Sequence, residues 1–416
     1  MPNVLTRQVT PPSTLAGRLA LQSLLFATGE GTFMTGSAVF FTVIVGLTPA
    51  QVGLGLTIAG VAAFLAAYPA GRLVDRFGPK RMWALSAGLQ AALFSVWPFI
   101  DGFEQYVLMA VVMELAGSIG GAAHGAYTLD VLPTAERVSS RAYMYSALNL
   151  GFTLGSGLGF IALATNSDDV LRAVPWFTGI LFVVNALAIL RLPDATHDAK
   201  RTKEERAVKI TPSPYRNPGW LVASFLLGVL WTNQVVLNVV IPLWLVSETD
   251  APRTVLAFLF ASNTIMCIFL PMRASRGVKD LTTGLKAIRI SASLFFISCL
   301  ITMATHSTIG WTTVAVMLLA HVVLTGGELY LSAASWAMEA ELMDPRQRGN
   351  YQGASEVTGT LGRVWAPALY TFLAMSWGVQ GWLVIGLIAV VAAFALHPVA
   401  RMGERFLATH GIDPHQ

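Results

Sequence analysis

Long apolar runs, interrupted by Gly, Pro and short charged stretches, recur along the whole chain without the period-two alternation that a membrane barrel strand demands. They predict twelve helical segments, near 17–46, 50–70, 82–100, 104–129, 141–164 and 174–192, then 218–246, 253–271, 284–304, 309–334, 349–375 and 380–398. Thr48-Pro49 opens the second with an N-cap and a proline at the first helical position. The one long polar stretch, 191–216, is rich in Lys, Arg, Glu and Pro and divides six segments from six.

The halves echo one another. Leu132-Pro133-Thr134-Ala135-Glu136-Arg137 follows the fourth segment, and Asp344-Pro345-Arg346-Gln347-Arg348 follows the tenth. Arg72, Arg76 and Lys80 are answered more loosely by Arg273, Arg276 and Lys279. Such duplication marks rocking carriers. The expected fold is all-α and membrane-integral, with 12 transmembrane helices in two pseudo-symmetric six-helix bundles. The expected division is residues 1–192, a cytoplasmic linker at 193–217, and residues 218–416 ending in a short tail.

Composition agrees. Of 416 residues 54% are hydrophobic and 12% charged, against about 25% charged in soluble domains, so the solvent for most of the surface is lipid. Lys and Arg gather at the amino terminus, in the loops after even-numbered segments, in 191–216 and near the carboxyl end. Arg172 and Arg253 lie on the other side, and Arg363 within a segment. The positive-inside rule then puts both termini in the cytoplasm. Trp97, Trp176, Trp244, Trp311, Trp377 and Trp382 fall at the opposite, outer ends, where interfacial aromatics are expected. The first seventeen residues are polar with no cleavable apolar core behind them, so the first span is expected to stay attached. Arg greatly outnumbers Lys, a bias of GC-rich bacterial genomes, which points to a bacterial inner membrane.

The net charge of +4 is not collected on one soluble face, which argues against nucleic acid as a partner. Cys267 and Cys299 sit alone in apolar stretches and read as small apolar fillers; no metal site is expected. H-E-x-x-H, G-x-S-x-G and the phosphate loop G-x-x-x-x-G-K-[ST] are all absent, so neither an enzyme nor a cofactor is expected. The expected partners are a small-molecule substrate, protons and the bilayer, with the chain a monomer.

Between the second and third segments stands Gly71-Arg72-Leu73-Val74-Asp75-Arg76-Phe77-Gly78-Pro79-Lys80-Arg81. It resembles the G-x-L-x-D-R-x-G-x-K/R-R signature of the major facilitator superfamily, and the resemblance extends to the whole chain through the span count and the repeat. Physically, Gly71 permits close helix approach, Gly78 a tight turn, and Asp75 a seat against a positive helix end. The resemblance implies that this helix is the eleventh, beginning near Gly349, and that Gly71, Asp75, Arg76, Gly78, Lys80 and Arg81 form a conformational latch with Arg76 paired to Asp130. Gly151-Phe152-Thr153-Leu154-Gly155-Ser156-Gly157-Leu158-Gly159 is similar to a motif of drug:proton antiporters. Gly151, Gly155 and Gly159 match it, Ser156 replaces its proline and Phe160 its last glycine; helix packing explains the same spacing. Glu114 stands where those antiporters carry an Arg.

Glu30, Glu114, Glu328, Glu356 and Arg363 fall inside apolar segments, where each ionisable group costs at least about 2.5–3.5 kcal/mol and is a functional candidate. The resemblance implies that helices one, four, seven and ten line the central cavity. His321, Thr325, Glu328, Ser332 and Ser335 share a face of segment ten; either His321 and Glu328 exchange protons through Thr325 or water, or the face is a wet wall with a neutral histidine. Glu30 and Glu114 make the first half acidic, and the glycines beside Glu30 are expected to admit water or ligand. Glu356, Thr360 and Arg363 follow at i, i+4 and i+7, a separation read as too long for a direct pair within the helix. Trp231, Asn233, Gln234, Asn238, Arg363 and Trp365 are the candidate substrate contacts, and Glu30, Glu114, His321, Glu328 and Glu356 the candidates for proton coupling. An acidic, aromatic cavity favours hydrophobic cations. The expectation is proton-coupled efflux of such a molecule, with proton-coupled uptake of a metabolite or nutrient as the alternative.

Overall fold

The computed structural model describes residues 10–195 and 212–414; most of the linker lies outside them. The first half consists of α1 (Thr14–Val39), α2 (Pro49–Phe77), α3 (Pro79–Val96), α4 (Gly102–Val131), α5 (Arg137–Ala164) and α6 (Asp168–Leu190). The second consists of α7 (Pro218–Glu248), α8 (Val255–Phe269), α9 (Leu281–Ala304), α10 (Trp311–Leu342), α11 (Arg348–Arg363, resuming at Ala366–Ser376) and α12 (Val379–Thr409). Eight of these twelve are long and apolar enough on their own to cross a membrane. The other four are α1, α3, α8 and α11: α8 is 15 residues long, and α11 is broken after Arg363.

Segment ends move outward from the sequence reading. The motif after segment two is not a loop, because Gly71–Phe77 completes α2 and Pro79 begins α3 directly. Only Gly78, at φ 94°, makes the turn, a backbone region in which a side chain is strained. The expected carboxyl tail is largely helix, since α12 continues through Pro398 to Thr409. Three of the six outer-end tryptophans are also not interfacial. Trp176, Trp311 and Trp377 are exposed, but Trp97, Trp244 and Trp382 are buried, Trp244 standing edge-on to Trp382.

Within each half, small residues set the helix spacing. Side chains placed on Gly151, Gly155 and Gly159 of α5 would meet backbone carbonyls of α1, those of Leu24, Thr28 and Thr32, at 2.5, 2.3 and 2.6 Å. The second half uses the same device between α7 and α11: a Cβ on Gly228 would lie 2.2 Å from the Gly359 carbonyl, and one on Gly362 2.2 Å from that of Phe225. In lipid, backbone approach of this kind supplies the dispersion contacts that apolar burial supplies in water.

Two irregularities break mid-membrane regularity. α7 unwinds at Trp231-Thr232 and then passes through a five-residue π-turn, Val236–Val240. α11 breaks at Val364-Trp365. The Thr232 hydroxyl and the Tyr370 hydroxyl lie 2.9 Å apart, tying the first break to the far part of α11. Helix interruptions at this depth recur where a cavity is lined.

The halves meet through α2 on α11, α4 on α11, and α5 on α8 and α10. If glycine spacing holds the α1–α5 contact, Gly155→Leu overpacks it and lowers the unfolding temperature of purified protein, at a cost of about 1–3 kcal/mol or more. Gly157→Ala, with nothing within 4 Å of the added carbon, leaves it unchanged or slightly raised. Differential scanning fluorimetry of the two variants checks the contrast.

Candidate functional site

One end of the molecule, where Gly78 joins α2 to α3, is sealed between the halves. A Cβ on Gly71 would lie 2.1 Å from the Gly349 carbonyl, and one on Gly353 2.4 Å from that of Ala67, so α2 and α11 touch backbone to backbone. α11 has no side-chain cap of its own, its N-cap position being Gln347. Asp75 supplies one from the other half. Its Oδ1 accepts from the Gly349 N–H at 2.7 Å and its Oδ2 from the Asn350 N–H at 2.8 Å, a carboxylate on the positive end of a helix dipole.

Charged contacts flank this seam. Arg348 donates to Asp130 at 2.9 Å, both side chains being about 95% buried. Arg141 of α5 pairs with Glu339 of α10 and donates to Thr128 at 3.3 Å. Arg348 is thus a partner of Asp130, while the exposed Arg76 lies 5.3 Å above the Phe77 ring. Lys80 donates to Asp194 at 2.7 Å, and that cation holds the exposed carboxyl below the usual carboxylate range. Sequence reasoning missed Arg141, Glu339 and Arg348. The repeated loop pattern carried the signal for Arg348 alone, because it places an Arg at the start of α11 as it does at the start of α5.

Next along the helices lies a cavity of about 500 Å³, lined by Gly60, Ala63, Phe64 and Ala67 of α2, by Glu114, Gly117, Ser118, Gly121 and Ala122 of α4, and by Gln352, Gly353, Glu356 and Thr360 of α11. Glu114 and Glu356 therefore face a shared space from opposite halves. Glu356 is half-exposed, and it does pair with Arg363: Nη2 donates to Oε1 at 2.6 Å, correcting the expectation that two turns are too long. The rise between them is about 10.5 Å, but seven residues return to nearly the same face, and Thr360 bridges the gap. Its hydroxyl donates to Glu356 at 3.2 Å and accepts from Arg363 at 3.0 Å.

The remaining candidates do not line this cavity. Glu30 is partly buried on α1, within electrostatic reach of Glu114. Its neighbouring glycines are filled rather than open, since a Cβ on Gly29 would lie 3.2 Å from the Phe182 ring and one on Gly31 2.9 Å from the Phe152 carbonyl. On α7, Asn238 is exposed and donates to Gln234, whereas Asn233 is turned into the core with its Oδ1 unpartnered. Trp231 packs on the core of the second half, and Trp365 stands edge-on to Tyr370, ring centres 5.6 Å apart. Helices α2, α4 and α11 make the walls of this cavity.

Glu328 occupies a separate cluster. It is 2% exposed. Tyr145 of α5 donates to its Oε1 at 2.8 Å, Asn263 of α8 to its Oε2 at 3.1 Å, and the Cys267 Sγ lies 3.8 Å from Oε1. Cys267 is thus a polar neighbour as well as a filler. Thr325 does not join His321 to Glu328, because its hydroxyl donates to the His321 backbone carbonyl at 2.9 Å and both His321 ring nitrogens are unpartnered. Tyr145 and Asn263 were not foreseen, since nothing along the sequence ties a lone Tyr or Asn to a Glu that lies 183 and 65 residues away, respectively.

Residues 19–367 match the Major Facilitator Superfamily. The chain is 25% identical over 377 residues to a Na(+), Li(+), K(+)/H(+) antiporter of Planococcus maritimus, covering 82% of this chain and 86% of that one. It is 29% identical to Multidrug resistance protein 1 of Bacillus subtilis (strain 168) over 170 residues, 39% of this chain and 40% of that protein. Among solved structures, a bacterial homologue of the iron transporter ferroportin in its outward-facing state superposes with a TM-score of 0.72 at 14% identity, over 94% of this chain and all of the other. With a match that spans most of the length and the same fold in both halves, this chain belongs to the Major Facilitator Superfamily and is a multi-pass membrane transporter, not an enzyme.

Proposed function

We propose that this carrier expels a hydrophobic small molecule, cationic in the favoured case, in exchange for protons by alternating access. One observation carries the reading: carboxylates from both halves, Glu114 and Glu356, face a common cavity directly behind a seam that is sealed by charge and close backbone contact. The bundles of residues 1–192 and 218–416 rock about that cavity, and the 193–217 linker tethers them. By the distribution of basic residues the sealed end is cytoplasmic, as are both termini, so the state described faces outward across a bacterial inner membrane. The chain works as a monomer.

The residues then take the following parts. Glu114 and Glu30 hold a proton or a substrate cation in turn, since a carboxylate within the membrane region is stabilised by either. Glu356 is oriented by Arg363 and is released when substrate displaces that partner. Gln234, Asn238, Trp231 and Trp365 supply hydrogen bonds and flat apolar surface further along. Glu328 and His321 serve coupling away from the substrate. Gly71, Asp75, Arg76, Gly78, Lys80, Arg81 and Asp130 form the latch. Two similar proteins, one named an antiporter and one a multidrug resistance protein, fit this direction. Uptake of a carboxylate-bearing metabolite is the second reading, favoured by Arg363, which an anionic substrate would engage.

Three outcomes are expected. In proteoliposomes with an inward-directed proton gradient, Glu114→Gln lowers drug efflux at least about tenfold and Glu30→Gln does likewise, a change on the order of 1.4 kcal/mol in the coupled step. Full proton-driven efflux from both variants and from Glu328→Gln would sink the coupling assignment. Adding a lipophilic cation to the outside of unenergised vesicles releases protons from the lumen if the carrier is an antiporter, whereas external alkalinisation on adding a metabolite means symport. Asp75→Asn removes the charge from the α11 cap and shifts the balance toward the opposite state, by about 1–2 kcal/mol or roughly 5- to 30-fold. A Thr360→Cys reporter, labelled in sealed vesicles with a membrane-impermeant maleimide, then reacts more slowly from the outside; Cys267 and Cys299 are buried and stay silent.

A further inference from the structure

The second polar cluster is built like an ion site. Glu328 is the one formal charge among the side chains that contact one another there: Tyr145, Asn263, Cys267 and Thr325 surround it, each neutral, and no salt bridge reaches it among the described residues. Three helices from both halves contribute, α5, α8 and α10. A carboxylate taken out of water with neutral neighbours alone is expensive unless a cation or a proton joins it. Arg141 and Glu339 are the next charged groups on α5 and α10, and they are spent on each other. His321, two turns away on α10, is buried with both ring nitrogens unpartnered. The surroundings offer no resident positive charge.

The donor set decides which cation fits. Glu328 presents two carboxylate oxygens, Thr325 a hydroxyl and Tyr145 a phenolic oxygen. Asn263 now directs its Nδ2 at both Thr325 Oγ1 and Glu328 Oε2, at 3.1 Å each. A half-turn of that amide exchanges nitrogen for oxygen in the same place, turning a donor into a ligand without moving the helix. The oxygens of Glu328, Thr325, Asn263 and Tyr145 are then hard donors linked in pairs at 2.8–3.1 Å, a set suited to alkali and alkaline-earth ions rather than to soft metals. Charge separates those two groups. A site of formal charge −1 is neutralised by a monovalent ion, whereas a divalent ion would leave an unbalanced charge in a medium of low dielectric. We infer that Glu328, Asn263, Thr325 and Tyr145 form a binding site for an alkali cation, Na+ or K+, distinct from the cavity that holds Glu114 and Glu356.

Because Tyr145 comes from the first half and the other ligands from the second, occupancy fastens α5 to α8 and α10 in the arrangement described. Opening the sealed end withdraws the Tyr145 oxygen and loosens the ion. Protons compete for the same carboxylate, so acid displaces the cation. This inference uses the carrier reading only for its cycle, since the binding itself is measurable without transport.

Equilibrium binding of 22Na+ to the purified full-length protein in nanodiscs tests it, with choline keeping ionic strength constant. The expected result is saturable binding of about one Na+ per chain, displaced by unlabelled Na+ or K+ but not by choline, and weaker at pH 5.5 than at pH 8.5. Asn263→Ala weakens binding at least fivefold and Glu328→Gln abolishes it, while Glu104→Gln, at an exposed acid in the first turn of α4, changes nothing. Absence of saturable binding in the wild type overturns the site, as does binding that survives Glu328→Gln or disappears in Glu114→Gln alone. Should Glu328→Gln fail to fold, Asn263→Ala and the wild-type pH dependence decide between the same two results. A protein that binds Na+ yet moves no solute refutes the carrier reading and keeps the site; one that couples solute to protons yet binds no Na+ does the reverse.

Discussion

A helix that cannot cap itself is the constraint on which the closed form turns. α11 begins at Arg348 with no capping side chain of its own, and exposed N–H groups at a helix start carry partial positive charge that must be met. Asp75 meets two of them from α2, and it reaches them because Gly71 and Gly349 let the backbones approach to a distance at which neither residue can carry a side chain. The contact is therefore local to α2 and α11 yet global in consequence, since each helix belongs to a different half. The Asp130–Arg348 pair follows from it, because the docked start of α11 brings Arg348 within reach of α4.

Each ionisable group in the membrane region meets the loss of water in a different way, and the differences separate roles. Asp130 and Arg348 pair across the halves in deep burial, so removal of either takes a charge partner from a desolvated group. Glu356 and Arg363 neutralise each other along a single helix and stay half-exposed, which makes their bond cheap to break in favour of another partner. Glu328 is met only by neutral groups and carries the unbalanced charge of its cluster. The first pair spans the halves, the second lies within one helix, and the third carboxylate has neutral contacts among the described residues.

Much of the fold was legible because hydropathy and the repeat act over tens of residues. Twelve segments, the two-half division of the helices and the Gly71–Arg81 motif all come from local pattern, and the glycines at 151, 155 and 159 already implied close packing. What failed was reach and direction. Seven residues looked too far for Glu356 and Arg363 because helical pairing is usually argued at three or four, and the bridging hydroxyl of Thr360 was not counted. Gly29 and Gly31 looked like openings, yet glycine in lipid more often marks the place where another helix lies, here Phe182 and the Phe152 backbone. The Tyr145–Glu328 and Arg141–Glu339 contacts join residues nearly two hundred positions apart, and no periodicity encodes them.

A seal must also be able to open, and its composition shows why this one can. At the end of the molecule the α2–α11 contact includes glycine backbone, a carboxylate and two N–H groups. When the halves part there, water replaces each of those hydrogen bonds, so the net loss per bond is on the order of 1 kcal/mol rather than the several that the bond would be worth in a dry interior. The Tyr145–Glu328 contact lies deeper, at a carboxylate that is 2% exposed, where no such replacement is at hand. Separation at that level requires that something else compensate the carboxylate, whether a proton, a cation or invading water. The end contacts therefore set which state is favoured, while the inner cluster sets what must be bound before the state can change.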